Sequence, residues 1–199
     1  MSLNQTVEIV TKEQLKSDIF KFAVKSEEMA KVALPGQFLE IRVNDDIEPF
    51  LRRPISIYKI DKAKNELEFI FQVKGKGTEI LAKKEVGDKI SILGPLGNGN
   101  FEFENYKKIA IIGGGIGVFP LYELARQAKE NANVTTYLGF RSKDFVVLED
   151  EFEEVSNKLI ITTDDGSYKE NGFAINYLKS DCEIEKPDCI FACRTTSNA

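Results

Sequence analysis

Apolar and polar positions alternate through the first half of this chain and change period in the second. The runs "TVEIV", Ile19–Val24, Gln37–Val43, Ile55–Ile60, Leu67–Val73 and Asp88–Gly94 alternate or nearly so, with turn residues such as Pro35-Gly36 between them. A period of two sends successive side chains to opposite faces, so each run predicts a strand with one buried face. Six strands at this spacing predict an antiparallel barrel or sandwich. One helix interrupts them, from Thr78 to about Lys84, with Thr78 as its N-cap and Gly87 as its stop.

Beyond Tyr106 the pattern is different. Ile109, Ala110, Ile111 and Ile112 form a continuous apolar run, as expected of a strand buried on both faces. Apolar residues then recur at Leu121, Leu124, Ala125 and Ala128, which is helical spacing. "NVTTYLGF", "KLIITTDD" and "DCIFAC" predict further strands, and "DFVVLEDEFEEV" and "GFAINYLKS" predict helices. Strands alternating with helices predict a parallel, doubly wound, Rossmann-like sheet. The fold class is therefore two-domain, β followed by α/β. The barrel spans 1–103 and the α/β domain 104–199, with the boundary inside "GPLGNGNFEFENY".

Composition removes several function classes. The 199 residues are 42% hydrophobic and 30% charged, with a net charge of −5 and a pI near 5.1. That balance is globular and lacks the basic footprint of a nucleic-acid binder. No apolar run approaches the roughly 20 residues of a membrane span, and "MSLNQTVEIV" has no signal-peptide pattern. A cytoplasmic location is expected. There is no histidine, which removes His-based acid–base catalysis, a Ser-His-Asp triad and His-ligated zinc. Cys182, Cys189 and Cys193 cannot complete a four-cysteine site, and are expected to be buried thiols, not metal ligands.

Two glycine turns and one arginine turn carry the candidate chemistry. "GGGIGVFP" (Gly113–Pro120) lies between a strand and a helix, where bare backbone can approach a phosphate and free N–H groups point outward. Pro120 suits the first helical turn. Gly113 and Gly115 fit the G-x-G-x-x-G dinucleotide fingerprint, but its third position is Val118. The next strand ends in Arg141, Ser142 and Lys143, with no acidic residue placed for a ribose. A tight turn without a ligand is the alternative. In "FLRRPISIYKI", Arg53 offers a planar fork suited to phosphate oxygens. Pro54 biases Arg53 toward an extended backbone. Ser56 shares a pleat face with Pro54 and Tyr58, where its hydroxyl can meet a ligand ring. "VKGKGTEIL" adds a second glycine turn, with Gly75, Gly77 and Thr78. Each feature alone is better read as a surface ion-pairing arginine or an ordinary left-handed turn. Together, ahead of a nucleotide-binding domain, they point to a flavin pyrophosphate site.

With these residues the chain resembles the ferredoxin reductase superfamily, in which an FAD-binding Greek-key barrel precedes an NAD(P)-binding α/β domain. "PGQF", "LRRPISI", "GPLGNG", "GGGIGVFPLYELA" and "TDDGSY" together resemble, more narrowly, the electron transfer subunits of bacterial class B dihydroorotate dehydrogenases. The resemblance covers nearly the whole chain. It implies that Arg53, Pro54, Ile55 and Ser56 line FAD, with Ser56 beside the ring as the one catalytic candidate. It implies that Ile70, Phe71 and Gln72 flank the flavin, and that Gly77 and Thr78 hold its pyrophosphate. Gly113, Gly114, Gly115 and Gly117 would take NAD(H). The implied partner is an FMN-containing dihydroorotate dehydrogenase catalytic subunit, in a heterotetramer within pyrimidine biosynthesis. The implied reaction is hydride transfer from nicotinamide C4 to flavin N5 at roughly 3–3.5 Å, which needs no protein acid or base.

The resemblance also implies a glycine after Cys193, then a helix and a cysteine-rich segment holding a [2Fe–2S] cluster. Here Arg194 and "TTSNA" follow instead. The tail reads as a truncation or frameshift, so no metal ligands and no reduced-cluster EPR signal are expected. Two alternatives stand beside this reading: a ferredoxin:NAD(P)+ reductase or sulfhydrogenase-type subunit, and a cofactor-free remnant that acts only in binding.

Overall fold

The computed structural model describes residues 2–44, 49–98 and 101–194. The tail after Arg194 lies outside these. The chain divides into two compact units, Met1–Asn100 and Phe101–Ala199.

The first unit is a closed barrel. It contains β1 (Leu3–Lys16), β2 (Ile19–Lys25), α1 (Glu27–Val32), β3 (Phe38–Arg42), β4 (Arg53–Asp61), β5 (Glu66–Gln72), α2 (Lys76–Ala82) and β6 (Lys89–Leu96). The strands close in the order β1-β2-β5-β4-β3-β6, every pair antiparallel. β1 serves two partners: Leu3–Glu8 pair with β6, and Ile9–Lys16 pair with β2. Register shifts after Ile9 and Gln14 mark the bulges that let one long strand bend around the barrel. Inward positions fill the interior with Ile9, Phe22, Leu39, Ile41, Ile57, Phe69 and Phe71. Phe22 and Phe71 meet edge to face, their centroids 5.3 Å apart.

Two local expectations change here. The barrel carries a second helix, α1, capped by the Ser26 hydroxyl, which accepts the Met29 N–H at 3.2 Å. Thr78 is not the N-cap of α2. Gly75 is, and Thr78 stands three residues in, where its oxygen accepts the Lys74 and Gly75 N–H groups at 2.9 and 3.2 Å. The helix starts earlier because this hydroxyl reaches back instead of forward.

The second unit is a parallel sheet with helical crossovers. Its elements are β7 (Lys108–Gly114), α3 (Leu121–Ala128), β8 (Asn133–Phe140), α4 (Glu149–Val155), β9 (Lys158–Thr163), β10 (Glu170–Asn171), α5 (Ala174–Ile184) and β11 (Cys189–Arg194). Strand order is β10-β9-β8-β7-β11, all parallel. The chain leaves β7 in one direction and returns to its other side for β11. Ligands of open α/β sheets bind at such a switch point, beyond the carboxyl ends of the strands. The helix read from Asp144 onward is shorter than expected. Lys143–Phe145 form a 3-10 turn, and α4 begins only at Glu149, after Leu148 at φ 62°. A 3-10 turn, Gly115–Val118, also separates β7 from α3, so the glycine turn does not run directly into the α-helix.

Candidate functional site

In the barrel, two motifs separated by more than twenty residues meet. Arg53 opens β4, and its guanidinium reaches the first turn of α2. A Cβ built on Gly77 would lie 2.2 Å from Arg53 Nε and 2.9 Å from Nη2, so the bare glycine is the cradle in which the guanidinium lies. The other edge of the fork is braced: Arg53 Nη1 donates to the carbonyls of Leu51 and Arg52 at 2.9 and 3.2 Å. The hydroxyl of Thr78 donates to the Gly75 carbonyl at 2.9 Å and so helps hold this turn. A fixed, partly exposed guanidinium over a bare backbone fits a phosphate group.

The remaining predicted flavin residues divide by pleat. Ile55 and Phe71 are buried in the barrel interior, so only their backbones can face a ligand. The Ile57–Phe69 pair sets the register between β4 and β5. One step along each strand, Ser56 and Ile70 follow on the other pleat face, together with exposed Pro54; Ser56 is partly exposed, but the Ile70 side chain is buried, so only its backbone can face a ligand. Gln72 is anchored, its Nε2 donating to Asp18 Oδ2 at 2.7 Å. Arg53, Gly77 and Thr78 thus form a charged end, and the partly exposed Ser56 an uncharged one.

In the sheet unit, a cleft of about 680 Å³ opens at the ends of β7, β8 and β11 beside the start of α5. Gly113, Gly114 and Gly115 line it, but the predicted glycines have different jobs. A Cβ on Gly113 would press on Leu121 and Val118 at 3.0 Å, and one on Gly117 would sit 2.8 Å from the Cys193 carbonyl oxygen. Those two glycines allow the turn to pack. Gly115 turns the chain at φ 56°, a left-handed conformation that suits glycine. Gly114 faces comparatively open space, its nearest neighbours 3.8 and 3.9 Å from a would-be Cβ. Thr162, at the end of β9, is fully buried, and its hydroxyl has no hydrogen-bond partner among the described residues. It lies 3.6 Å from a Cβ position on Gly139, behind the cleft wall, and Thr162 does not itself line the cleft.

Sequence reading missed three lining residues, Asp164, Phe173 and Arg194, which converge from the ends of β9, α5 and β11. The "DD" after β9 was a visible acidic signal, but it follows a later strand than the one searched. Arg141 lines the cleft as well. The three cysteines are partly exposed free thiols, not fully buried ones. Burial nevertheless pushes the Cys193 thiol above its ordinary pKa, which keeps it neutral at physiological pH. Among the described residues, no three His, Cys, Asp or Glu side chains gather as metal ligands. No helix there is long and apolar enough to cross a membrane.

Residues 6–102 match the family described as oxidoreductase FAD-binding domain. The chain is 38% identical over 184 residues to the dihydroorotate dehydrogenase B (NAD(+)) electron transfer subunit of Lysinibacillus sphaericus, covering 90% of this chain and 70% of that one. It is 38% identical to the subunit of the same name from Streptococcus mutans, covering 97% of this chain and 74% of the relative. Among solved structures it resembles a chain of an NADH-dependent reduced ferredoxin-NADP oxidoreductase, with a TM-score of 0.84 and 35% identity over 96% of this chain and 68% of that one. A Plasmodium falciparum ferredoxin-NADP+ reductase shares the fold, with a TM-score of 0.77 at 15% identity, over 98% and 87% of the two chains.

Proposed function

We propose the function from one premise: this chain belongs to the family of dihydroorotate dehydrogenase B electron transfer subunits, and is an FAD-binding oxidoreductase subunit of the ferredoxin reductase-like fold. It is an electron transfer flavoprotein that oxidises NADH and passes electrons on to a catalytic subunit that holds FMN and interconverts dihydroorotate and orotate. When bound, the flavin and nicotinamide rings supply the hydride chemistry themselves. The residues of this chain bind and orient.

Arg53 holds phosphate negative charge at the barrel entrance, and Gly77 leaves room for that guanidinium. The hydroxyl of partly exposed Ser56 hydrogen-bonds a polar ring edge. In the sheet unit, Gly114 and Gly115 let backbone approach a pyrophosphate. The Asp164 carboxylate accepts from ribose hydroxyls and repels a further phosphate, which favours NADH, although Arg141 on the same wall pulls the other way. The neutral Cys193 thiol adds no charge where a nicotinamide would lie.

The observation that carries this reading is the Arg53 guanidinium resting on the bare Cα of Gly77. Titrating the purified chain with FAD, and pulling down the dihydroorotate-oxidising subunit with it, tests the proposal. Flavin binding together with capture of that subunit is expected; capture without flavin binding would support the cofactor-free role instead. The 35% identity to a ferredoxin-linked oxidoreductase favours a second reading, in which ferredoxin is the partner. NADH-dependent reduction of added ferredoxin, without dihydroorotate-dependent turnover, would favour it.

A further inference from the structure

The side chain of the first arginine of the Arg-Arg-Pro turn has no part in the site described so far. We infer that Arg52 is a positioning residue: its side chain clamps the peptide that braces Arg53, and so aims the Arg53 guanidinium at its anionic ligand. The inference rests on the reading that Arg53 holds flavin phosphate.

Pro54 favours an extended Arg53, so consecutive side chains leave opposite sides of the chain. Arg53 turns toward Gly77. Arg52 turns to the barrel wall, where its fork bridges three strands. Its Nη1 donates to the carbonyls of Glu40 on β3 and Ser91 on β6, at 3.1 and 2.9 Å. Its Nη2 faces the Ser91 hydroxyl at 3.1 Å and Asn4 Oδ1 on β1 at 3.4 Å. The carbonyl of this same Arg52 accepts from Arg53 Nη1 at 3.2 Å. A continuous line of contacts therefore runs from the barrel wall through the Arg52 side chain and peptide to the Arg53 guanidinium.

Apolar packing does little to hold this segment. Phe50 and Leu51, just ahead of it, are 79% and 69% exposed. The Leu51 carbonyl also braces Arg53, so both braces sit on a stretch that Arg52 pins down. A lysine cannot replace it, because a single ammonium does not span acceptors on three strands.

The test is FAD affinity of the full chain, read by quenching of flavin fluorescence, in Arg52→Gln, Arg52→Lys, Arg53→Ala and the Arg52→Gln/Arg53→Ala double variant. Melting of the flavin-free proteins runs alongside. Arg52→Gln and Arg52→Lys are each expected to weaken FAD by about tenfold. The double variant is expected to bind within about twofold of Arg53→Ala, because residues acting through one another are not additive. Losses that multiply, or unchanged affinity in Arg52→Gln, would overturn the inference. Unchanged affinity in Arg53→Ala would instead remove the phosphate reading, and this inference with it. If Arg52→Gln fails to fold, Ser91→Ala removes one contact alone. It is expected to weaken FAD by about threefold in the Arg53 background and hardly at all beside Arg53→Ala; equal losses in both would overturn the inference.

Discussion

The barrel and the sheet both carry glycine turns ahead of helices, and the two turns solve different problems. At Gly77 the missing side chain makes room for a charged group from another strand, Arg53. At Gly113 and Gly117 it makes room for the fold itself: Leu121 and Val118 in one case, the backbone of β11 in the other. The barrel site is thus written in side chains. The proposed sheet site depends more on backbone shape. A glycine motif therefore identifies a close approach, and the thing approached has to be found in three dimensions.

The largest effect expected from breaking this contrast is in the sheet. Gly117→Ala places a Cβ 2.8 Å from the Cys193 carbonyl oxygen and 3.0 Å from the Arg194 Cα, backbone atoms that cannot swing aside. Overpacking of this kind costs about 1–3 kcal/mol. Denaturant unfolding should show that loss, while FAD affinity stays within about twofold of wild type. A stable Gly117→Ala variant would return Gly117 to the ligand.

Arg53→Ala should do the reverse. Losing a hydrogen-bonded charge is worth about 2 kcal/mol, or roughly thirtyfold in FAD affinity, with the melting temperature little changed. Gly77→Ala belongs between the two cases. Its Cβ displaces a side chain, not backbone, so the fold should tolerate it while FAD weakens by about tenfold. If Gly77→Ala destabilised the barrel and spared FAD, the two turns would be alike after all.

How much of this was visible in the sequence depended on how local each signal is. The six barrel strands were legible because a period of two survives in short runs, and the candidates Arg53, Pro54 and Ser56 stood out because they sit in one tight motif. The meeting of Arg53 with Gly77 was not legible, since β4, β5 and the turn after them must fold before the two are neighbours. α1 has six residues, too few to establish a helical period, although Ser26 followed by Glu27 and Glu28 was a usable N-cap signal. The opposite directions of Arg52 and Arg53 follow from Pro54, but the acceptors on three other strands do not. Asp164 and Phe173 escaped notice because the cleft draws on several strand ends at once.

The smallest effect lies far from either site. Asp188 Oδ2 accepts the N–H groups of Lys107 and Lys108, both at 2.8 Å, tying the start of β11 to that of β7. Those bonds hold its carboxyl below the ordinary aspartate pKa. A depressed folded-state pKa contributes stability that is present above the unfolded value, near pH 4, and lost as pH falls through the folded one. Asp188→Asn should therefore lower stability slightly at neutral pH, converge with wild type in acid, where the carboxyl is protonated and that contribution is gone, and leave FAD affinity unchanged. Acid melts of the two proteins would show it.

The most direct measurement is anaerobic mixing of the FAD-loaded chain with NADH while the flavin absorbance band is followed. The expected result is bleaching by NADH, faster than by NADPH, with Arg53→Ala failing to retain the flavin through gel filtration. A chain that never takes up FAD, or that holds it and stays yellow with excess NADH, would contradict the assignment.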